Sequence, residues 1–213
     1  MTPGYAAAFN GQALAIEKLF QLAADISDPD NNGATPMHAA AGKGHIKAIE
    51  TLAKLRVSVK SKDLEGRTPA HSAAMSGHTE TIEVLARLGA TFDIKDCNGW
   101  TAIHAAAFNG QHAAIEVLAQ LGADVDVLDK EGRTPVHAAA FNGHTAAIET
   151  LCQLGATIET ADSDGRTPLN VRSSNFTSTC PVYFPNNCSV WLFTLPLIFL
   201  KKIFFDTCSF IDN

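Results

Sequence analysis

The sequence predicts an all-α solenoid of helix-turn-helix units joined by projecting, β-hairpin-like loops. Three observations carry that expectation. The string Thr-Pro-x-His-Ala-Ala, intact or worn, begins at Thr2, Thr35, Thr68, Thr101, Thr134 and Thr167, each 33 residues beyond the one before. A fixed period of that order marks a stack of small supersecondary units, none of which can bury its apolar face alone. After each alanine run and its glycine comes a second segment with apolar residues at helical spacing, and Leu-Gly-Ala closes it at Gly89, Gly122 and Gly155.

The fifth unit shows the local logic. Thr134 suits an N-cap, and Pro135 suits the first helical position, where the missing N–H costs nothing. Ala138 to Ala140 are strong helix formers with little bulk, so the helix can lie close to its neighbours. Gly143 ends it. A second helix is expected over about 145–154, with Ile148, Leu151 and Leu154 on one stripe and Glu149 off it. Ile82, Leu85 and Leu88 repeat that stripe in the third unit, and Ile115, Leu118 and Leu121 in the fourth. The glycine that follows fits a helix C′ position, where φ is usually positive. The segment 123–132 then reads as a short extended stretch ending in a turn.

These residues resemble the ankyrin repeat, whose pattern is D-x-x-G-x-T-P-L-H-x-A-A-x-x-G-H followed by an amphipathic helix and G-A-D. The likeness runs from about Thr2 to Asn170, with Asp-x-x-Gly at Asp63, Asp96, Asp129 and Asp162. It sets an array over 2–170: units 2–34, 35–67, 68–100, 101–133 and 134–166, with the opening of a sixth from 167. Some positions depart from the pattern. Gly4 and Tyr5 replace Leu and His, Ala102 replaces Pro, and Val57-Ser58-Val59-Lys60 replaces Ala-Asp-Val-Asp. Arg56 stands where later units have glycine. A non-glycine residue at positive φ costs about 1 kcal/mol, so the junction of the second and third units is expected to be the softest.

Composition narrows the function. A net charge of −6 argues against a sequence-blind nucleic-acid binder, which needs a basic stripe to neutralise phosphates. The cysteines Cys97, Cys152, Cys180, Cys188 and Cys208 are odd in number and form no CxxC pair, so neither a disulfide framework nor a zinc site is expected. The first residues lack the basic segment and apolar run of a signal peptide, and a reducing compartment follows: the cytoplasm, with the nucleus as the alternative.

The histidines His38, His71, His104 and His137, joined by His45, His78 and His144, invite a metal or catalytic reading. Stacked helices sit about 8–10 Å apart, whereas zinc–nitrogen bonds are about 2 Å, so such a ladder cannot converge on one ion. The ankyrin resemblance instead implies that the motif histidine bonds its own threonine and the adjoining loop. No G-x-S-x-G, H-E-x-x-H, P-loop or G-x-G-x-x-G occurs, and the repeated aspartates read as turn formers. The chain is therefore read as no enzyme, with no catalytic, cofactor-binding or metal-binding residue and no cofactor.

The resemblance implies a protein–protein interaction scaffold or adaptor that grips its partner on a concave face of loop tips and first-helix ends. Carried over position by position, that face holds Arg67, Trp100, Lys130, Arg133 and Arg166 from the loops. Met75, Ser76, Phe108, Asn109, Phe141 and Asn142 come from the helices. Phe108 and Phe141 admit a second reading as mere cover for the stacking seam. The partner is an unidentified protein, nucleic acid is not expected, and the array is expected to be monomeric. The alternatives are a membrane-tethered adaptor using the apolar segment 182–205 and the regulatory fragment of a larger enzyme.

After Asn170 the pattern stops. The tail 171–213 is apolar, non-repetitive and expected to be poorly ordered; its run Val190–Leu200 is 11 residues long, against about 20 for a membrane span. Its Phe, Ser, Leu, Cys and Pro are spelled by pyrimidine-rich codons, and Val171-Arg172 is one translation of a splice-donor-like sequence, so it reads as translated intron or a misassigned exon. Met1 falls directly before a Thr-Pro, and neither end carries a polar capping face, so the chain reads as a fragment of a longer array.

Overall fold

The computed structural model describes residues 2–170, and the tail expectations above lie outside them. Ten helices form five pairs: α1 (Pro3–Phe9) and α2 (Ala13–Gln21), α3 (Pro36–Gly42) and α4 (Ile46–Lys54), α5 (Pro69–Ser76) and α6 (Thr79–Arg87), α7 (Ala102–Phe108) and α8 (His112–Gln120), α9 (Pro135–Phe141) and α10 (Thr145–Gln153). The odd-numbered helices pack on one another in series, and so do the even-numbered ones, giving two layers. Ala40, Ala41, Ala73, Ala74, Ala106, Ala107 and Ala139 are fully buried between successive first helices. Ile49, Leu52, Ile82, Leu85, Ile115, Leu118 and Leu151 fill the space toward the second layer.

One expectation about the second helices needs correction. Leu88, Leu121 and Leu154 do not complete the buried stripe; they are 37, 39 and 37 % exposed. Each is a C-cap residue, where the chain has already left the helical path and the side chain turns off the apolar face. The buried places go to small residues on the opposite flank of the stripe: Ala48, Thr81, Ala114 and Ala147.

Each first helix opens on the same device. Thr35, Thr68, Thr101 and Thr134 accept the backbone N–H of the third helical residue on their hydroxyls, and the histidine at that third position returns the bond. The backbone N–H of Thr68 donates to His71 Nδ1 at 3.1 Å, and that of Thr101 to His104 Nδ1 at 3.3 Å. Since a backbone N–H can only donate, Nδ1 carries no proton, and Nε2 must be the protonated nitrogen. Nε2–H then donates to the carbonyl of the residue before the next threonine: Arg67 for His38 (2.9 Å), Trp100 for His71 (3.0 Å), Arg133 for His104 (3.2 Å) and Arg166 for His137 (3.1 Å). One imidazole thus closes its own cap and fixes the start of the following unit. In the first unit Tyr5 stands in the histidine position, where burial and the neighbouring Asp30 carboxylate push its hydroxyl pKa up.

The second histidine of the units that have one, His45, His78 and His144, has a different task. His45 Nε2 lies 3.1 Å from the Phe9 carbonyl and His144 Nε2 3.0 Å from that of Phe108. The ring lies so close over the preceding unit's glycine that a Cβ on Gly110 would meet His144 Nδ1 at 2.7 Å; with φ at +70°, only glycine serves there.

No strand occurs among the described residues, so the projecting loops are hairpin-like in course without forming a sheet. Each loop closes on itself, as Asp63 N–H does on the Arg67 carbonyl at 2.9 Å. Neighbouring loops are joined by a backbone bond each: Leu64 N–H to Asn32 O, Cys97 N–H to Glu65 O, Lys130 N–H to Asn98 O and Ser163 N–H to Glu131 O, at 2.8–3.0 Å.

Arg56 has a φ of +65°, in the left-handed region, and so does Ala23 at +57°, a position sequence reading passed over. Gly89, Gly122 and Gly155 hold the equivalent place with φ of +88°, +89° and +91°, and a Cβ there would meet nothing within 4 Å. The cost at Arg56 is therefore one of backbone strain alone. The same junction lacks a second tie. Asp126 accepts from Thr157 N–H (2.8 Å) and from its hydroxyl (2.8 Å), whereas the corresponding residue beside Thr91 is Lys60, which cannot accept. The contact between α4 and α6 is the thinnest between second helices, while α3 and α5 pack closely, with Gly42 against Ser72. We expect amides around 54–60 to exchange faster than those around 120–126, and Arg56→Gly to slow them and raise stability by about 0.5–1 kcal/mol. Equal protection at the two junctions in the unaltered protein would overturn this.

Candidate functional site

The loop tips and first helices border one face, and the recurrent threonine caps and loop turns place its side chains. Each turn is built by an aspartate. Asp129 Oδ1 accepts from Glu131 N–H (2.9 Å) and Arg133 N–H (2.8 Å), folding the loop back so that residue 133 stands over the first helix. Asp63 and Asp162 do the same for Arg67 and Arg166, and Asp96 does it for Trp100.

The arginines expected to await a partner are already occupied. Arg67 Nε pairs with Asp63 Oδ2 and Nη1 with Glu65 Oε2, both at 2.8 Å; Arg133 is clamped in the same way by Asp129 and Glu131. Arg166 is held by Asp162 at 2.9 Å and Asp164 at 2.7 Å. Burial pushes the Asp129 carboxyl up, but hydrogen bonds and charge from Arg133, with the bond from Trp100, outweigh it and hold it below the ordinary aspartate value. These guanidinium groups are fixed planes with part of their charge cancelled.

Trp100 replaces the arginine in its unit and turns the other way. Its Nε1–H donates to Asp129 Oδ2 at 3.0 Å, a carboxylate of the following loop. The indole stacks against His104 (6.2 Å between centroids, 16°) and meets Phe108 at 5.0 Å and 54°. Phe108 stacks in turn on Phe141 at 6.4 Å and 17°. Phe108 is half-buried between its neighbours and does cover the seam, whereas Phe141 is 48 % exposed. Trp100, Phe108, Phe141, Arg133 and Arg166 surround a groove of about 410 Å³, which Asp129, Asp162 and Asn170 also line. The sequence marks those two aspartates as turn formers; a carboxylate four residues before each arginine is its sign of the pairing.

The remaining expected residues are not gathered there. Arg67, Met75 and Ser76 line a separate, shallower hollow of about 230 Å³ with Tyr5, Phe9 and Lys43. Lys43 Nζ stands 4.6 Å over the Phe9 ring. Asn109 Nδ2 donates to the Ala105 carbonyl of its own helix at 2.9 Å, and Asn142 Nδ2 to the Phe108 carbonyl of the preceding unit at 2.7 Å. Both amides finish helix ends. Lys130 is exposed on its loop tip, with its backbone N–H bonded to Asn98. Among the described residues no group of three or more His, Cys, Asp or Glu could hold a metal ion, and no helix is long and apolar enough to cross a membrane.

Ten helices in stacked pairs, capped by threonine and histidine and tied loop to loop, define a repeat solenoid that offers a surface of loop tips and helix ends. Family models described as ankyrin repeats match residues 55–129, 88–162 and 118–176 in three copies, and a further one matches residues 5–53. The chain belongs to the ankyrin-repeat family, whose repeats are generally protein–protein interaction modules. No curated protein matches the chain.

Proposed function

We propose that the chain is a non-catalytic scaffold that grips a protein partner on the loop-tip and first-helix face, centred on the groove between Trp100 and Phe141. The observation that supports this most is the run of three rings, Trp100, Phe108 and Phe141, contiguous from one loop across two units and open to solvent at its Phe141 end. Contiguous apolar surface on an otherwise charged face marks a place where another molecule excludes water. Tryptophan and arginine are the residues most often found to dominate such contacts. With Arg133 and Arg166 oriented by their carboxylates, a partner meets donors already held in place and loses little entropy in ordering them.

The test is selection of peptide ligands against the full chain, followed by binding to a Trp100→Ala/Phe141→Ala variant. Ligands of this face should lose about 100-fold or more in affinity. Circular dichroism checks that the helices persist. If the selected ligands bind the double variant as tightly as the parent, this reading fails.

A further inference from the structure

The second unit carries a denser concentration of positive charge than its sister units, on residues that line neither hollow. No acidic residue stands between Glu50 and Asp63, while Lys54, Arg56, Lys60 and Lys62 fall in that interval. Lys54 ends α4, Arg56 follows in the left-handed turn, and Lys60 and Lys62 lie on the extended loop beyond; all four are exposed. Lys62 Nζ reaches the Lys95 carbonyl of the next unit at 3.4 Å, and the exposed Lys95 donates its own Nζ to the Leu128 carbonyl at 2.7 Å. None of the five makes an ion pair within the described residues, and Asp63 is committed to Arg67.

Comparison within the chain shows how far this departs from the repeat. At the Lys60 position the following units have Asp93, Asp126 and Glu159; at Arg56 they have glycine. The third unit keeps Arg87 and Lys95 at the Lys54 and Lys62 positions, but glycine and Asp93 take the places of Arg56 and Lys60, so the charge falls there. The exchange brings a non-glycine residue into the left-handed region and removes the loop-to-loop bond that Asp126 makes with Thr157. Ala23 takes the same left-handed place in the first unit without a charge, so what sets the second unit apart is its run of basic residues, in a chain of net −6.

We propose that this edge, Lys54, Arg56, Lys60, Lys62 and Lys95, binds a short acidic segment of a partner protein, at a site separate from the aromatic groove. Its extent decides the ligand. Two stacked units span about 20 Å, which an extended peptide of about six residues covers. A long polyanion or a membrane would extend further, over Asp126 and Glu159 of the fourth and fifth units, and be repelled there. A run of glutamates or aspartates ends before it meets them.

The experiment measures anisotropy of a labelled peptide of about six glutamates with the full chain, in low salt and near 150 mM. The variant Lys54→Gln/Arg56→Gly/Lys60→Asp gives the second unit residues found at the same positions elsewhere in the chain. Arg56→Gly relieves backbone strain, so the variant should melt no lower than the parent. Peptide binding should weaken by roughly tenfold or more in the variant, and weaken with salt in the parent. Trp100→Ala should leave it unchanged, which separates this site from the groove. No binding to the parent at low salt, equal binding to the variant, or tighter binding of a single-stranded oligonucleotide or of phosphatidylserine vesicles than of the peptide would each overturn the proposal.

Discussion

Acidification from pH 6.5 toward 4 should destabilise the array steeply, before most of its carboxylates begin to protonate. The cause lies in the motif histidines. Burial drives the His104 pKa down from 6.5 to about 4, only partly opposed by its bond to the Arg133 carbonyl, and burial moves His38 and His71 in the same direction. The geometry gives the same answer independently. Nδ1 of each ring faces a threonine N–H, and a proton there would set donor against donor in a site with no room for water. The unfolded chain thus binds more protons than the folded one between the two values. The stability is fully present above pH 6.5 and is lost as pH falls through the folded pKa, about 3 kcal/mol for His104 alone. Asp129 and Asp162 have lowered values, so their contributions disappear only below the ordinary aspartate value of 3.8 and do not confuse the window. Urea denaturation at intervals from pH 7.5 to 4 checks this. His104→Gln should be less stable at neutral pH yet show a shallower fall with acid, and a parent profile flat between pH 6.5 and 4.5 would refute the account.

What the sequence disclosed, and what it hid, divides along one physical line. Features set by a residue and its near neighbours in the chain were legible: the threonine caps, the alanine-rich first helices, the left-handed turn at Arg56, the aspartate turns. These depend on propensity and local bonding, and the 33-residue repeat gave several readings of each. Features set by a contact between units were harder. The placing of Leu88, Leu121 and Leu154 off the core follows from the end of the helix, which periodicity alone does not locate. Asn142 looked free by position and proved to cap the preceding unit. For the candidate face, aromatic positions were readable as departures from a small-residue pattern, but the division into two hollows was not. Gly42, at the place of Phe9, Met75, Phe108 and Phe141, lies within the smaller hollow beside Phe9 and Met75, and Lys43 next to it turns back over Phe9.

Replacing Asp129 with alanine should cost about 3 kcal/mol, and should cost about 1 kcal/mol more than the same change at Asp63. Both carboxylates are buried, and both accept two backbone N–H groups and one arginine Nε at 2.8–3.0 Å. Asp129 alone of the two also accepts Trp100 Nε1–H. Truncation leaves those donors facing a void, and it frees Arg133 from a partner that held it over the groove. The surplus at Asp129 is therefore the worth of the bond between the third unit's indole and the fourth unit's turn. That bond also sets the ring plane that meets Phe108. Asp129→Ala should loosen the indole, and in a Trp191→Phe background, where Trp100 is the only tryptophan left, its emission should shift to the red. Asp63→Ala should leave the emission where it was. Urea denaturation of the two variants side by side measures the difference. If their losses are equal and the emission of Asp129→Ala is unmoved, then the aspartate only forms its turn, and the seating of Trp100 in the groove depends on its stacking with His104 and Phe108 alone.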